Sequence, residues 1–172
     1  MDLRLEVKMS GKFYSTKTYG NDRGLSCCFR QWRSTHSHCS LLHGYSIGIR
    51  LVFESDTLDC RNWVMDFGGL KKFKQWAEYM FDHTTLIAED DPHLDFFLTM
   101  AKINGGYKDK GVVDLRVVPA VGCEKFAEMA YQKMEQIIEE MKQTDDIIVN
   151  GNVRVKSVEV FEHEANSAIY EG

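Results

Sequence analysis

Residues 43–53 read HGYSIGIRLVF. Taken two at a time, His43, Tyr45, Ile47, Ile49, Leu51 and Phe53 share one face, with Gly44, Ser46, Gly48 and Arg50 on the other. Period-two alternation is the signature of a half-buried strand, so a strand is expected across the whole stretch. Its apolar face opens with a histidine and a tyrosine, about 6.6 Å apart at roughly 3.3 Å rise per residue. Just upstream stands SHCSLLH (37–43), with a thiol, Cys39, four residues before His43. Whether the chain is an enzyme or a plain domain turns on what that thiol is for.

Outward from this strand the elements alternate clearly. LSCCFRQWR (25–33) reads as a strand, with Cys27 and Cys28 on opposite faces and therefore not paired with each other. Asp66 is placed to cap a helix on which Leu70, Phe73, Trp76, Ala77, Met80 and Phe81 recur at helical spacing, with Lys71, Lys72 and Lys74 outside. The stretch after Asp82-His83 holds a short helix ended by Gly105-Gly106. A long amphipathic helix starts near Glu124, its inner stripe running from Phe126 to Met141. In NVRVKSVEVFE (152–162), Val153 and Val155 are in one phase and Val158 and Val160 in the other, which predicts a bulge near Lys156-Ser157. A short final strand is expected at 167–170. Strand, strand, helix, helix, strand, strand is an α+β order, with an antiparallel sheet and helices on one face.

The totals bound the function. At 172 residues the chain is expected to be a single domain over 1–172 with a sizeable core. A net charge of −5 and the absence of any Lys/Arg run argue against nucleic acid as a partner. No apolar run approaches the roughly 20 residues of a membrane span, and MDLRLEVKMS lacks the apolar stretch of a signal peptide. Five cysteines, an odd number, then fit reduced thiols and a cytoplasmic location.

Three polar features terminate apolar periodicity: His43, the Asp82-His83 pair and Glu162. Each has a bland reading as a surface histidine, a turn or a solvated carboxylate. Cys39 near His43 has the makings of an acid/base device, because a thiolate needs a neighbouring imidazolium or cation at neutral pH. In Asp82-His83 the carboxylate can orient the imidazole for proton transfer. Catalytic zinc needs three protein ligands and an open position. His36, His38 and His43 qualify by type, although H-x-H-x4-H is no strong zinc signature.

Five pieces in order carry a resemblance: CSLLHGY (39–45), VMDFGGL (64–70), FDHTTL (81–86), PAVGCEKFA (119–127) and VEVFEHEANSAIY (158–170). Over about residues 25–171 the chain resembles the 6-pyruvoyl tetrahydropterin synthase / 6-carboxytetrahydropterin synthase family. The resemblance implies the tunnelling fold (T-fold), in which antiparallel four-stranded sheets with two helices each form an oligomeric barrel. It also implies a homo-oligomer, usually a hexamer, with active sites between subunits. Residues 1–24 are then an N-terminal extension and 88–111 an insertion.

The implied activity is that of a lyase on 7,8-dihydroneopterin triphosphate forming 6-carboxy-5,6,7,8-tetrahydropterin, on the route to 7-deazaguanines such as queuosine. The alternatives are elimination of the triphosphate to 6-pyruvoyl tetrahydropterin, or a divergent pterin- or purine-binding protein with a degenerate zinc site. Carried over, Cys39 is the catalytic thiol, Asp82 and His83 the acid/base pair, and Glu162 the carboxylate that grips the pterin. Glu124 lines the substrate, and His43 is a zinc ligand. Two departures stand out. The family's H-G-H is H-G-Y here, with Tyr45 at the second histidine, and Arg33 falls where the first zinc histidine belongs. Arg33 is permanently protonated and cannot ligate. It becomes a candidate for substrate phosphates, leaving His36 and His38 as replacement zinc ligands.

Overall fold

The computed structural model describes residues 11–144, 150–163 and 165–172. In chain order the strands and α-helices are β1 (Phe13–Tyr19), β2 (Ser26–Phe29), β3 (His43–Ser46), β4 (Gly48–Ser55), α1 (Lys71–Phe81), β5 (Thr84–Ala88), α2 (Leu94–Ala101), β6 (Leu115–Val118), α3 (Cys123–Lys142), β7 (Arg154–His163) and β8 (Asn166–Glu171). They build an α+β T-fold protomer with two four-stranded sheets. One is antiparallel in the order β1-β4-β7-β8. The other, β3-β2-β5-β6, is mixed, with β2, β5 and β6 parallel and β3 antiparallel to β2.

The alternation over 43–53 holds: Ile47, Ile49, Leu51 and Phe53 are all 0% exposed. The single strand does not. The chain breaks at Ile47 and changes sheets, β3 joining the mixed sheet and β4 the antiparallel one. Gly48 makes the crossing possible, because a Cβ there would lie 2.5 Å from the Phe161 ring of the neighbouring strand. The expected strand over 25–33 ends at Phe29 and gives way to turns.

The bulge is where the valine phases place it. Val52 faces Ser157 and Phe53 faces Val155, so Lys156 is the extra residue. That slip keeps Val153, Val155, Val158 and Val160 all in the core. The helix over 71–81 also forms, its approach capped by Asp66, whose carboxylate accepts from Gly68 N at 2.9 Å. α3 lays Phe126, Ala127, Ala130, Met134, Ile137, Ile138 and Met141 against β7 and β8, and α1 packs on α3 and β5.

Three strands escape the sequence reading: β1, β5 and β6. The segment expected as an N-terminal extension (1–24) contains β1, bonded to β4 along its whole length, while residues 1–10 lie outside the described residues. The segment expected as an insertion (88–111) holds α2, the short helix expected after Asp82-His83. Among the described residues, no helix is long and apolar enough to cross a membrane.

Candidate active site

The mixed sheet determines where each candidate residue stands. β2 and β5 are parallel, with Cys27 opposite Thr84 and Phe29 opposite Leu86. Chain leaving β2 and chain leaving β5 therefore emerge at the same end, which is also where β3 begins. Cys39 is at that end, in a 3-10 turn (His38–Ser40) capped by Ser37, whose Oγ accepts from Cys39 N at 3.2 Å. Cys39 O accepts from Gln31 N at 2.8 Å, tying the thiol's backbone to the exit of β2.

His43 opens β3, its Nδ1 bonded to Leu41 O at 2.7 Å, so with that nitrogen donating, Nε2 is the free lone pair. Its ring centroid lies 4.6 Å from that of Tyr45, which stacks on Phe29 at 4.0 Å and 9°. Burial, then the charge of Glu162 and of the thiols Cys39, Cys123 and Cys27, pushes the Tyr45 hydroxyl up to about 12.

α3 delivers two more groups. Gly122, at φ 118° and ψ 155°, makes a turn that L side chains rarely adopt, and Cys123 and Glu124 follow it into the first turn of the helix. A thiol at a helix N-terminus is ordinarily acidified. Here burial wins, and with the nearby charges of Glu162 and Glu124 it raises Cys123 from an ordinary 9.0 to about 12. Cys123 is therefore a neutral S–H at physiological pH. Glu162 itself is half-buried and lines a surface hollow with Asn21, Asp22, Ser46 and His163.

Asp82 and His83 are elsewhere. They immediately precede β5, and His83 N donates to Ser26 O at the start of β2. Ser26 opens β2, whereas Gln31, which holds Cys39 O, lies just beyond its last residue, Phe29, so the two groups stand at opposite ends of the strand. The pair is well formed: Asp82 Oδ1 lies 2.6 Å from His83 Nδ1, and His83 takes a left-handed φ of 56°. The imidazole is 84% exposed and stands over a groove of 580 Å³ that Glu78, Tyr107, Lys110, Val112 and Asp114 also line. The expected catalytic set is thus divided between two ends of one sheet.

Arg33 is not directed toward Cys39. Its guanidinium bonds Asp90 at 2.7 Å and lies 4.1 Å over the Trp32 ring. The expected zinc set does not assemble in one chain either. His38 and His43 approach to 6.4 Å between ring centroids and His36 is exposed, but no three His, Cys, Asp or Glu side chains could hold a metal ion together among the described residues. Two imidazoles fall short of the three ligands that catalytic zinc requires. Sequence reasoning assigned no site role to Cys123 and placed Tyr45 only at the family's second zinc histidine. Their signals were position: Tyr45 shares a strand face with His43, and Cys123 adjoins Glu124.

Comparison with known proteins agrees with this architecture. The family model for 6-pyruvoyl tetrahydropterin synthase matches residues 21–172. An uncharacterised protein from Wolinella succinogenes shares the fold at TM-score 0.72 and 20% identity, over 95% of this chain and 99% of that one. The 6-pyruvoyl tetrahydropterin synthase of Plasmodium vivax does so at TM-score 0.61 and 12% identity, over 95% and 99%. That of Caenorhabditis elegans matches at TM-score 0.53 and 15% identity, over 94% and 95%. A comparison with curated proteins found no match. With its motifs in order, two sheets on one helical core and a family model spanning all but the first twenty residues, the chain belongs to the 6-pyruvoyl tetrahydropterin synthase family.

Proposed function

We propose that the chain is a lyase that converts 7,8-dihydroneopterin triphosphate and one water to 6-carboxy-5,6,7,8-tetrahydropterin, releasing acetaldehyde and triphosphate. The observation that carries this reading is geometric: Gln31 donates from N to Cys39 O at 2.8 Å and from Nε2 to Val121 O at 3.1 Å, which holds the Cys39 loop beside the start of α3 with Cys123 and Glu124. Family membership supports the broader activity on a pterin triphosphate.

The roles follow from chemistry. The Glu162 carboxylate accepts two parallel N–H bonds from the aminopyrimidine edge, which orients the ring as well as binding it. Cys123 and Tyr45, both protonated at neutral pH, are donors beside that edge and not bases. Cys39, half-buried at the rim, faces the side chain and takes or returns a proton at its carbons. Asp82 accepts from His83 Nδ1–H and leaves Nε2 as the second acid/base nitrogen. Because these two stand at the far end of the sheet, a second copy of the chain supplies them, and the working form is a homo-oligomer.

The test is to incubate the protein with enzymatically prepared dihydroneopterin triphosphate, with and without added zinc, and to resolve the pterins. The expected product is 6-carboxytetrahydropterin. Accumulation of 6-pyruvoyl tetrahydropterin would instead support triphosphate elimination, the activity for which the Plasmodium and Caenorhabditis proteins are named. Tight pterin binding without turnover in either buffer would favour a binding protein with a degenerate metal site, a reading the incomplete His38–His43 set keeps specific.

A further inference from the structure

We propose that Arg30 and Asp91 form a latch that positions Cys39, so that Arg30 is a positioning residue for the reacting thiol. The inference rests on the reading of Cys39 given above. Arg30 Nε bonds Asp91 Oδ2 at 2.8 Å and Nη2 bonds Oδ1 at 2.9 Å. This is the two-armed pairing that fixes both direction and distance. The Asp91 side chain is 1% exposed and that of Arg30 18%, so water competes little for the pair. Asp91 is held in turn, its Oδ1 also accepting from His93 N at 2.8 Å. The third arm of the fork, Nη1, donates to Ser40 O at 3.4 Å, one residue beyond Cys39.

The neighbouring residue completes the hold. Gln31 N donates to Cys39 O at 2.8 Å, and Gln31 Nε2 donates to Val121 O at 3.1 Å, in the loop that leads to Cys123 and Glu124. The backbone carbonyls of Cys39 and Ser40 are therefore both held by residues 30 and 31. A second link runs in parallel, with Trp32 Nε1 and Arg33 Nη2 donating to the two oxygens of Asp90. Parallel pairing of β2 with β5 explains the meeting, since it brings the first residues beyond each strand to one end of the sheet. Two successive aspartates at the start of the 88–111 segment thus anchor the loop that carries the thiol.

The experiment uses the full chain with Arg30→Lys and Asp91→Asn. Lysine keeps the charge but cannot make the two-armed bond or reach Ser40 O at once. Three quantities are read: Cys39 alkylation by iodoacetamide against pH, followed by mass spectrometry with exposed Cys60 as internal control; kcat and KM; and urea unfolding. The expected result is kcat lowered about tenfold to a hundredfold with KM little changed, the scale of a 1 Å misplacement. Cys39 alkylation should quicken about threefold or more as the half-buried thiol gains solvent, while Cys60 stays constant. Unaltered Cys39 alkylation in both folded variants would overturn the latch. So would loss of folding in both, which would assign the pair to stability alone. Should the parent protein turn over no pterin while the variants still change Cys39 alkylation, the lyase reading falls and the latch stands.

Discussion

Cys39, Cys60, Cys123 and Cys27 share one side chain and differ in surroundings, and that difference is measurable. Cys60 is exposed and Cys39 half-buried, whereas Cys27 and Cys123 are buried, each pushed up to about 12. Iodoacetamide at pH 8 should therefore label Cys60 and Cys39 first and leave Cys27 and Cys123 unmodified in the folded protein, as read by peptide mass spectrometry. Early labelling of Cys123 would contradict its burial at the start of α3. The same shifts bear on stability. A thiol whose folded pKa lies above its unfolded value keeps its proton where the unfolded chain releases one. Its stabilisation is complete below about pH 9 and is lost as pH rises toward 12. The urea midpoint, measured with reductant, should fall between pH 9 and 11; a flat midpoint would speak against the burial. For ligand binding, Glu162→Gln removes one charge-assisted acceptor and should weaken pterin affinity about tenfold to a hundredfold by calorimetry. At this scale the strand and helix ends that carry His43, Asp82-His83 and Glu162 were legible as positions, from the periodic patterns that stop there. Tyr45 and Cys123 were not, because a polar tip on an apolar body reads as core until the neighbouring strand and helix are placed.

Among elements, β4 shows what alternation secures. Phe53 is 0% exposed and Arg50, three residues earlier on the other face, is in solvent. Phe53→Ala should cost about 3–5 kcal/mol in urea unfolding, cavity and transfer together. Arg50→Ala should stay within about 0.5 kcal/mol. Equal costs would mean that the face has been misassigned. The helices were readable for the same reason, a stripe of buried side chains facing one way. The missed strands each lacked a pattern to read. In β5 all five residues, TTLIA, are buried on both faces, so alternation never appears. In β1 the inward positions include Ser15 and Lys17, which hide the apolar face. The break at Ile47 was invisible because the inward phase continues across it while the hydrogen-bonding partners change from β2 to β1 and β7.

For the whole molecule, the arrangement of the mixed sheet outweighs any single residue. Parallel β2 and β5 put the Cys39 loop at one end and Asp82-His83 at the other, joined to Ser26 through His83 N. The site proposed above, which uses both halves, draws them from two copies of the chain. This separation could not be read from sequence, where the motifs simply follow one another; it depends on which strands run parallel. The decisive measurement is therefore subunit complementation. Cys39→Ala and His83→Ala proteins, each inactive alone, are dissociated, mixed and reassembled, with exchange verified by native mass spectrometry, and turnover of dihydroneopterin triphosphate is assayed. A split site requires that activity return in the mixture, because some interfaces then pair an intact Cys39 with an intact His83 from the neighbour. Mixed assemblies no more active than either variant alone, beside a parent protein that turns over, would contradict it.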